Sequence, residues 1–299
     1  MNTIKILPSK IVGTHALTHL PEQIGELHDI SYYERQKKNV KLEKYVPQSI
    51  PILPPSLSDI EEEIRKLGGL YNKKQSAKQV LDERKAIWQE LCAFHNRIEA
   101  ERESIENKKF QDKYDAIIAD INDVIYGEDN AVNALLHTAI QQLKLPFELE
   151  VKIDYDKNRS IASIKAVMPL SFCIPTTKTV YHSRGFSLKN KLQRELQQEE
   201  SECVIGLAML LAGQTFSVTP NIKTVNVLFY KHRGKEALLN IFFDRNTFLA
   251  NRSKMDIPSV ALYEFPFAAN IRTVRDAMVL GTIPEKELQA FRVATNQIP

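Results

Sequence analysis

Three small groups of side chains have the types and spacing that chemistry uses. The first is Glu150, Lys152 and Asp154, which alternate along one short stretch. Metal-dependent nucleases can pair an Asp on one hairpin arm with Glu-x-Lys on the next, so that two carboxylates hold Mg²⁺ and the lysine assists the attacking water. Glu150-Val151-Lys152 has those letters, whereas Ser163-Ile164-Lys165, on the arm that follows Asp154, lacks the acid. A divergent nuclease is thus the enzymatic alternative, and Mg²⁺ is a cofactor only on that alternative. The second group is Lys231, His232, Arg233, Gly234 and Lys235, a basic hairpin tip able to hold a phosphate or nucleic acid through side chains and amides. His182 and Arg184 precede a long helix and can join that tip in space, although a polar tip is also what solubility alone requires. The third is His15, His19 and His28, with Glu22, Glu26 and Asp29 as oxygen ligands for a metal. Pro21 limits any helix there, and ordinary surface or packing histidines account for the group more simply.

The other templates fail. Gly68 and Gly69 are the only close pair among ten glycines, with neither GxGxxG nor GxxxxGK, so a common phosphate cradle is absent. GxSxG, HExxH and the kinase signatures are missing too. A net charge of +3 is too small to argue for nucleic acid in bulk, although residues 146–299 hold 20 basic against 15 acidic side chains. Cys92, Cys173 and Cys203 are odd in number and widely spaced, which excludes a CxxC motif and suits a reducing compartment. No apolar run approaches the ~20 residues that span a bilayer, so the expectation is a cytoplasmic protein without membrane contact.

The elements that must position these groups follow from periodicity. Residues 1–57 read as an N-terminal extension ending in a linker broken by Pro47, Pro51, Pro54 and Pro55. Residues 58–145 read as a helical segment, with Ser58 and Glu61 as a capping box at its start. Between Ala77 and Tyr126 there is neither Pro nor Gly, and Ile87, Leu91, Phe94, Ile98 and Ile105 follow the spacing of a coiled-coil seam. A second stripe, Phe110, Tyr114, Ile117, Ile121 and Val124, is out of phase with it. The break at 106–109 is either a stutter in one helix or a turn between two antiparallel helices. Such a segment suits a protein partner or self-association.

Residues 146–299 read as an α+β domain of order ββαββ built from antiparallel hairpins. Phe147 to Tyr155 alternate apolar and charged, Ile161 to Met168 return, and Ile222 to Tyr230 with Ala237 to Phe243 make the second hairpin. Between them Ser187 caps a helix over 188–214 whose second half, CVIGLAMLLAG, must be buried. Short helices are expected at 259–264 and 273–280.

The run FELEVKIDYDKNRSIASIKAVMPL, the helix ending CVIGLAMLLAGQTF, and NVLFYKH to NIFFDRNTF followed by MDIPSVALYEF resemble a poorly characterised bacterial domain. That domain occurs beside Mrr-type restriction nucleases. The resemblance covers residues 147–265 and carries no catalytic residue. It implies an accessory module, so the expectation is a non-enzymatic interaction or scaffold subunit of a bacterial defence or restriction-type system. Nothing after Phe265 has the look of a nuclease domain.

Overall fold

The computed structural model describes residues 2–8, 20–66, 75–168, 174–231 and 236–296. The chain forms two compact units, one of residues 1–37 with 120–299 and one of residues 38–119. This division cuts across the boundaries expected at 57 and 145, because an N-terminal strand and a helix before the first hairpin both belong to the larger unit.

In the larger unit, Asn2–Ile6 (β1), Leu149–Asp156 (β2) and Ile161–Val167 (β3) form an antiparallel run. The stretch expected to be a mere extension thus supplies an edge strand, with Ile4 and Ile6 buried. Thr177–His182 (β4) and Gly185–Asn190 (β5) form a separate two-stranded ribbon. Thr224–Tyr230 (β6), Ala237–Asp244 (β7), Phe267–Val274 (β8) and Ala277–Gly281 (β9) complete a seven-stranded sheet of order β1-β2-β3-β6-β7-β8-β9. Within this sheet β3 and β6 pair in parallel and the other described neighbours antiparallel. The class is α+β and the sheet mostly antiparallel, but the order is longer than ββαββ.

The helices are Ile30–Asn39 (α1), Leu57–Lys66 (α2), Gln75–Tyr126 (α3), Asp129–Gln141 (α4), Gln193–Val218 (α5), Arg245–Ala250 (α6), Pro258–Ala261 (α7) and Glu285–Asn296 (α8). A parallel connection needs a long crossover, and α5 provides it between β3 and β6. Its apolar half is buried from Cys203 to Gly213. By length and composition α5 could cross a membrane, contrary to the sequence expectation, but 83% of its apolar 18-residue window is buried inside the fold. It is the core helix. The helix starts at Gln193 rather than Leu188, because Ser187 pairs with Val180 in the ribbon and Glu195 accepts a hydrogen bond from the backbone N of Leu192 at 2.8 Å. A Cβ at Gly213 would lie 2.6 Å from Ile24 Cγ2, so glycine sets how closely this helix approaches the residue 20–24 turn.

The helix expected over 273–280 is instead the β8–β9 hairpin. Arg275 and Asp276 take positive φ of 49° and 67°, the conformation that joins strands through a two-residue turn. Asp244 and Arg245, adjacent at the end of β7, are engaged by different partners. Asp244 caps α6 by accepting from Thr247 N at 3.0 Å, while Arg245 donates to the carbonyls of Phe216, Thr219 and His28 at 2.9, 3.0 and 3.1 Å. A guanidinium at these carbonyls satisfies acceptors that the end of α5 leaves open. Burial lowers the pKa of Arg245 and pushes the nearby Tyr33 hydroxyl up to about 12, with Tyr32 adding to the latter.

In the smaller unit α3 runs unbroken through residues 106–109, so the phase change is a stutter. Ser56, not Ser58, caps α2: its Oγ accepts from Asp59 N at 3.2 Å. The proline-rich residues 45–56 lie along α3 as a strap. Glu99, 4% exposed, accepts from Tyr45 Oη and Gln48 N at 2.9 Å each and from Arg102 Nη1 at 2.9 Å. Trp88 Nε1 donates to Ile52 O at 3.1 Å. Ile60, Ala77 and Leu81 are the buried apolar cluster where α2 meets α3.

Candidate ligand site on the open face of the sheet

Alternation along each strand gives the large sheet two faces, and strand register decides what meets on each. Val151, Ile164, Val227 and Ile241 point into the core shared with α4 and α5. The other face carries polar rows. Asp154 stands opposite Ser163, Ser163 beside Asn226, and Asn226 opposite Phe242. One row away are Asp156, Ile161, Thr224 and Asp244. On the other side lie Lys152, Lys165, Leu228 and Asn240. Lys152 and Lys165 are direct cross-strand neighbours, and like charges in that position repel.

Two adjoining cavities open along these rows. One, of about 350 Å³, is lined by residues that include Asp154, Ser163, Lys165, Asn226, Phe242 and Arg292. The other, of about 720 Å³, includes Thr224, Lys223, Asp244, Thr247, Glu264 and Pro266. Arg159, Ile161, Phe242 and Thr295 belong to both walls. Both volumes fall in the range of roughly 300–1,000 Å³ that small-molecule sites occupy. Arg159 lies in the β2–β3 turn, where its backbone N donates to Asp156 Oδ1 at 3.2 Å. Arg292 on α8 donates to Tyr230 Oη at 3.4 Å.

Beneath this face lie polar atoms without partners. Thr224 Oγ1, Asn226 Oδ1 and both amide atoms of Asn240 are buried and make no hydrogen bond. Each such group costs about 1–3 kcal/mol. Sequence reasoning passed over Thr224, Asn226, Asn240 and Arg292. The signal was present in β6 and β7, where Asn226 and Asn240 interrupt apolar runs, but which strands adjoin is set by the α5 crossover.

The expected site residues are distributed unevenly. Glu150, Lys152 and Asp154 share the open face, but Glu150 and Asp154 lie about 13 Å apart along β2 at the usual strand rise. Side chains standing perpendicular to the sheet at that separation do not converge on one Mg²⁺, so this trio is not an assembled two-carboxylate centre. Asp154 lines the smaller of the two cavities, and its neighbour on β3 is Ser163. Lys231 follows β6, where its Nζ bonds Thr282 Oγ1 at 2.9 Å and pairs with Glu236 at 3.2 Å. His232, Arg233 and Lys235 lie outside the described residues, as do His15 and His19. His182 Nε2 bonds Ser187 Oγ at 2.8 Å within the β4–β5 ribbon, and Arg184 sits at that ribbon's turn. His28 stacks on Tyr32 with ring centroids 3.6 Å apart. Among the described residues no three His, Cys, Asp or Glu side chains cluster as metal ligands. Burial, with Glu200 adding, raises the pKa of the Cys203 thiol, which keeps it unreactive.

A scan against protein-family models and searches of curated proteins and of solved structures return no match for this chain. None of them supports the resemblance expected for residues 147–265.

Proposed function

We propose that the protein is an interaction subunit that pairs with a second copy of itself through α3. The observation that carries this reading is the uncovered seam. Ile87, Leu91, Phe94 and Ile105 are 58%, 43%, 57% and 55% exposed, although the strap covers the adjacent face of the same helix at Trp88, His95 and Glu99. Ile98 is half-buried, and a 4-3-4 apolar seam left largely in water is the feature that coiled-coil pairing buries.

Charge favours the antiparallel arrangement. With Leu91 packed on Phe94 of the second copy, Ile87 meets Ile98 and the flanking Glu90 meets Arg97 of that copy. In the parallel arrangement Arg97 flanks Arg102 instead, and like charges oppose. Light scattering should give twice the 34.2 kDa chain mass, and Phe94→Glu should return the mass to that of one chain. Glu90→Arg or Arg97→Glu alone should weaken pairing, and the two together should restore it. A wild-type protein that stays a single chain at about 100 µM, well above the micromolar range of ordinary weak dimers, would sink the proposal. An unpaired, enzymatic reading through Glu150, Lys152 and Asp154 is disfavoured by their spacing.

A further inference from the structure

We infer that α8 is a releasable cover over one end of the open sheet face, swinging away while the rest of the larger unit stays folded and so governing access to the two cavities. The inference is independent of pairing through α3, because every residue it uses lies in the unit of residues 1–37 and 120–299.

Helices lie on both faces of the sheet, and they are held differently. On the core face α4, of 13 residues, buries Val132, Leu136 and Ile140 in the continuous core. On the open face α8, of 12 residues, buries one apolar side chain of its own among the described residues, Leu288. Leu288 joins Ile283, Leu228 and Ala237 in a small cluster separate from the main core, with Tyr230 and Ala268 packed against it. Polar contacts add little. Arg292 donates to Tyr230 Oη at 3.4 Å, beyond the usual range of N–H···O distances. Thr295 is buried, but its hydroxyl donates to Phe291 O and Arg292 O of its own helix, at 2.9 and 3.2 Å.

What lies beneath α8 opposes the contact. Asn240 is paired with Leu228 on one side and Ala268 on the other, so its side chain shares their face and falls within the footprint of the Leu288 cluster. Asn240 is fully buried, and both polar atoms of its amide lack a partner. An amide in that position has lost its bonds to water and gained none in return, so water admitted beneath α8 stabilises it. Covering Asn240 thus offsets much of what burying Leu288 contributes. The covered and released arrangements are therefore close in free energy, the condition under which a segment opens locally.

The geometry also supplies a pivot and a consequence. Ile283 N donates to Ala237 O at 2.8 Å, which anchors the chain just before Pro284 and the first turn of α8. Arg292 stands in the wall of the smaller cavity, and Thr295 in the walls of both. Rotation of α8 about Pro284 withdraws these two side chains together, opening both cavities along the sheet.

Native-state hydrogen exchange and thiol labelling of the full chain test this. Amides of residues 289–296 should exchange at least about 100-fold faster than those of β6 and β7, after correction for intrinsic rates. The thiol introduced by Asn240→Cys should be alkylated by iodoacetamide at least about tenfold faster than Cys203, which only unfolding of the main core exposes. Fraying at the end of α8 would not give that result, since Asn240 lies under Leu288. Adding Leu288→Ser should speed this alkylation about tenfold and leave exchange in β6 and β7 unchanged. Asn240→Leu should act in the opposite sense, slowing exchange in residues 289–296 about tenfold by removing a buried unpaired amide. The inference is overturned if residues 289–296 exchange as slowly as β6 and β7, or if the introduced thiol reacts no faster than Cys203. Exchange in α8 unchanged by Asn240→Leu, or alkylation unchanged by Leu288→Ser, would overturn it as well.

Discussion

Phe243 on β7 is fully buried, with the rings of Phe265 and Phe248 at 4.8 and 5.7 Å, whereas Phe94 on α3 is 57% exposed. The same residue type does different work in the two units. In the sheet unit, apolar side chains from β1, β2, β3, β6, β7, α4 and α5 form one continuous core. In the long-helix unit the buried apolar cluster among the described residues is Ile60, Ala77 and Leu81, and the strap is held by polar contacts to Glu99, Trp88 and Asn107. The difference teaches that one unit is stabilised by area removed from water and the other by a few directed hydrogen bonds on a helix too long to bury its own seam.

Four measurements would break or sharpen that contrast. Phe243→Ala should cost the sheet unit about 4 kcal/mol in urea denaturation, the usual loss for a buried ring that leaves a cavity. A cost under about 1 kcal/mol would mean that the core is loosely packed. Arg245→Met should cost about 3 kcal/mol, because it removes charge-assisted bonds to the carbonyls of Phe216, Thr219 and His28 and leaves them buried. A variant as stable as wild type would show that water replaces the guanidinium.

In the long-helix unit the response should be local and dependent on pH. The hydrogen bond from Gln48 N, followed by those from Tyr45 and Arg102, holds the Glu99 carboxyl below its ordinary value of 4.5, against the opposing effect of burial. A depressed folded value contributes stability above the unfolded value and loses it as pH falls through the folded one. Amide exchange in residues 45–52 should therefore accelerate as pH drops below about 4.5, after correction for the intrinsic rate, and Glu99→Gln should show the faster exchange already at neutral pH. Strap protection that is flat with pH would remove Glu99 from this role. The smallest effect belongs to Phe94→Ser, which in dilute protein should change unfolding free energy by less than about 0.5 kcal/mol, as for other exposed positions. A loss of several kcal/mol would show that the seam is covered within one chain.

Legibility differed in the same way between elements. Strand β2 was evident because a two-residue period puts Glu150, Lys152 and Asp154 on one side and Val151, Ile153 and Tyr155 on the other. The buried half of α5 was evident from an apolar run with no polar face. The β8–β9 hairpin was not, since the left-handed conformation of Arg275 and Asp276 has no glycine to announce it. Nor was the start of α5, because the β4–β5 ribbon claims Ser187 first. Of the candidate site, Asp154 and Lys165 could be named from pattern alone, while Asn226 and Arg292 could not.

By itself the sequence determined that β2, β3, β6 and β7 are strands, that α3, α4 and the buried half of α5 are helix, and which side of each is apolar, since these follow from periods of 2 and 3.6 within a few residues. It also determined that α3 presents a seam, because the spacing of Ile87, Leu91, Phe94 and Ile98 is local. The tertiary structure alone decided that Asp154, Ser163, Asn226 and Phe242 form one row. They span 88 positions of the chain, and their register depends on how α5 carries β6 back beside β3, a choice made by packing the whole core. Tertiary structure likewise decided that Glu99 is buried, since its partners Tyr45 and Gln48 reach it only when the strap folds back along the helix.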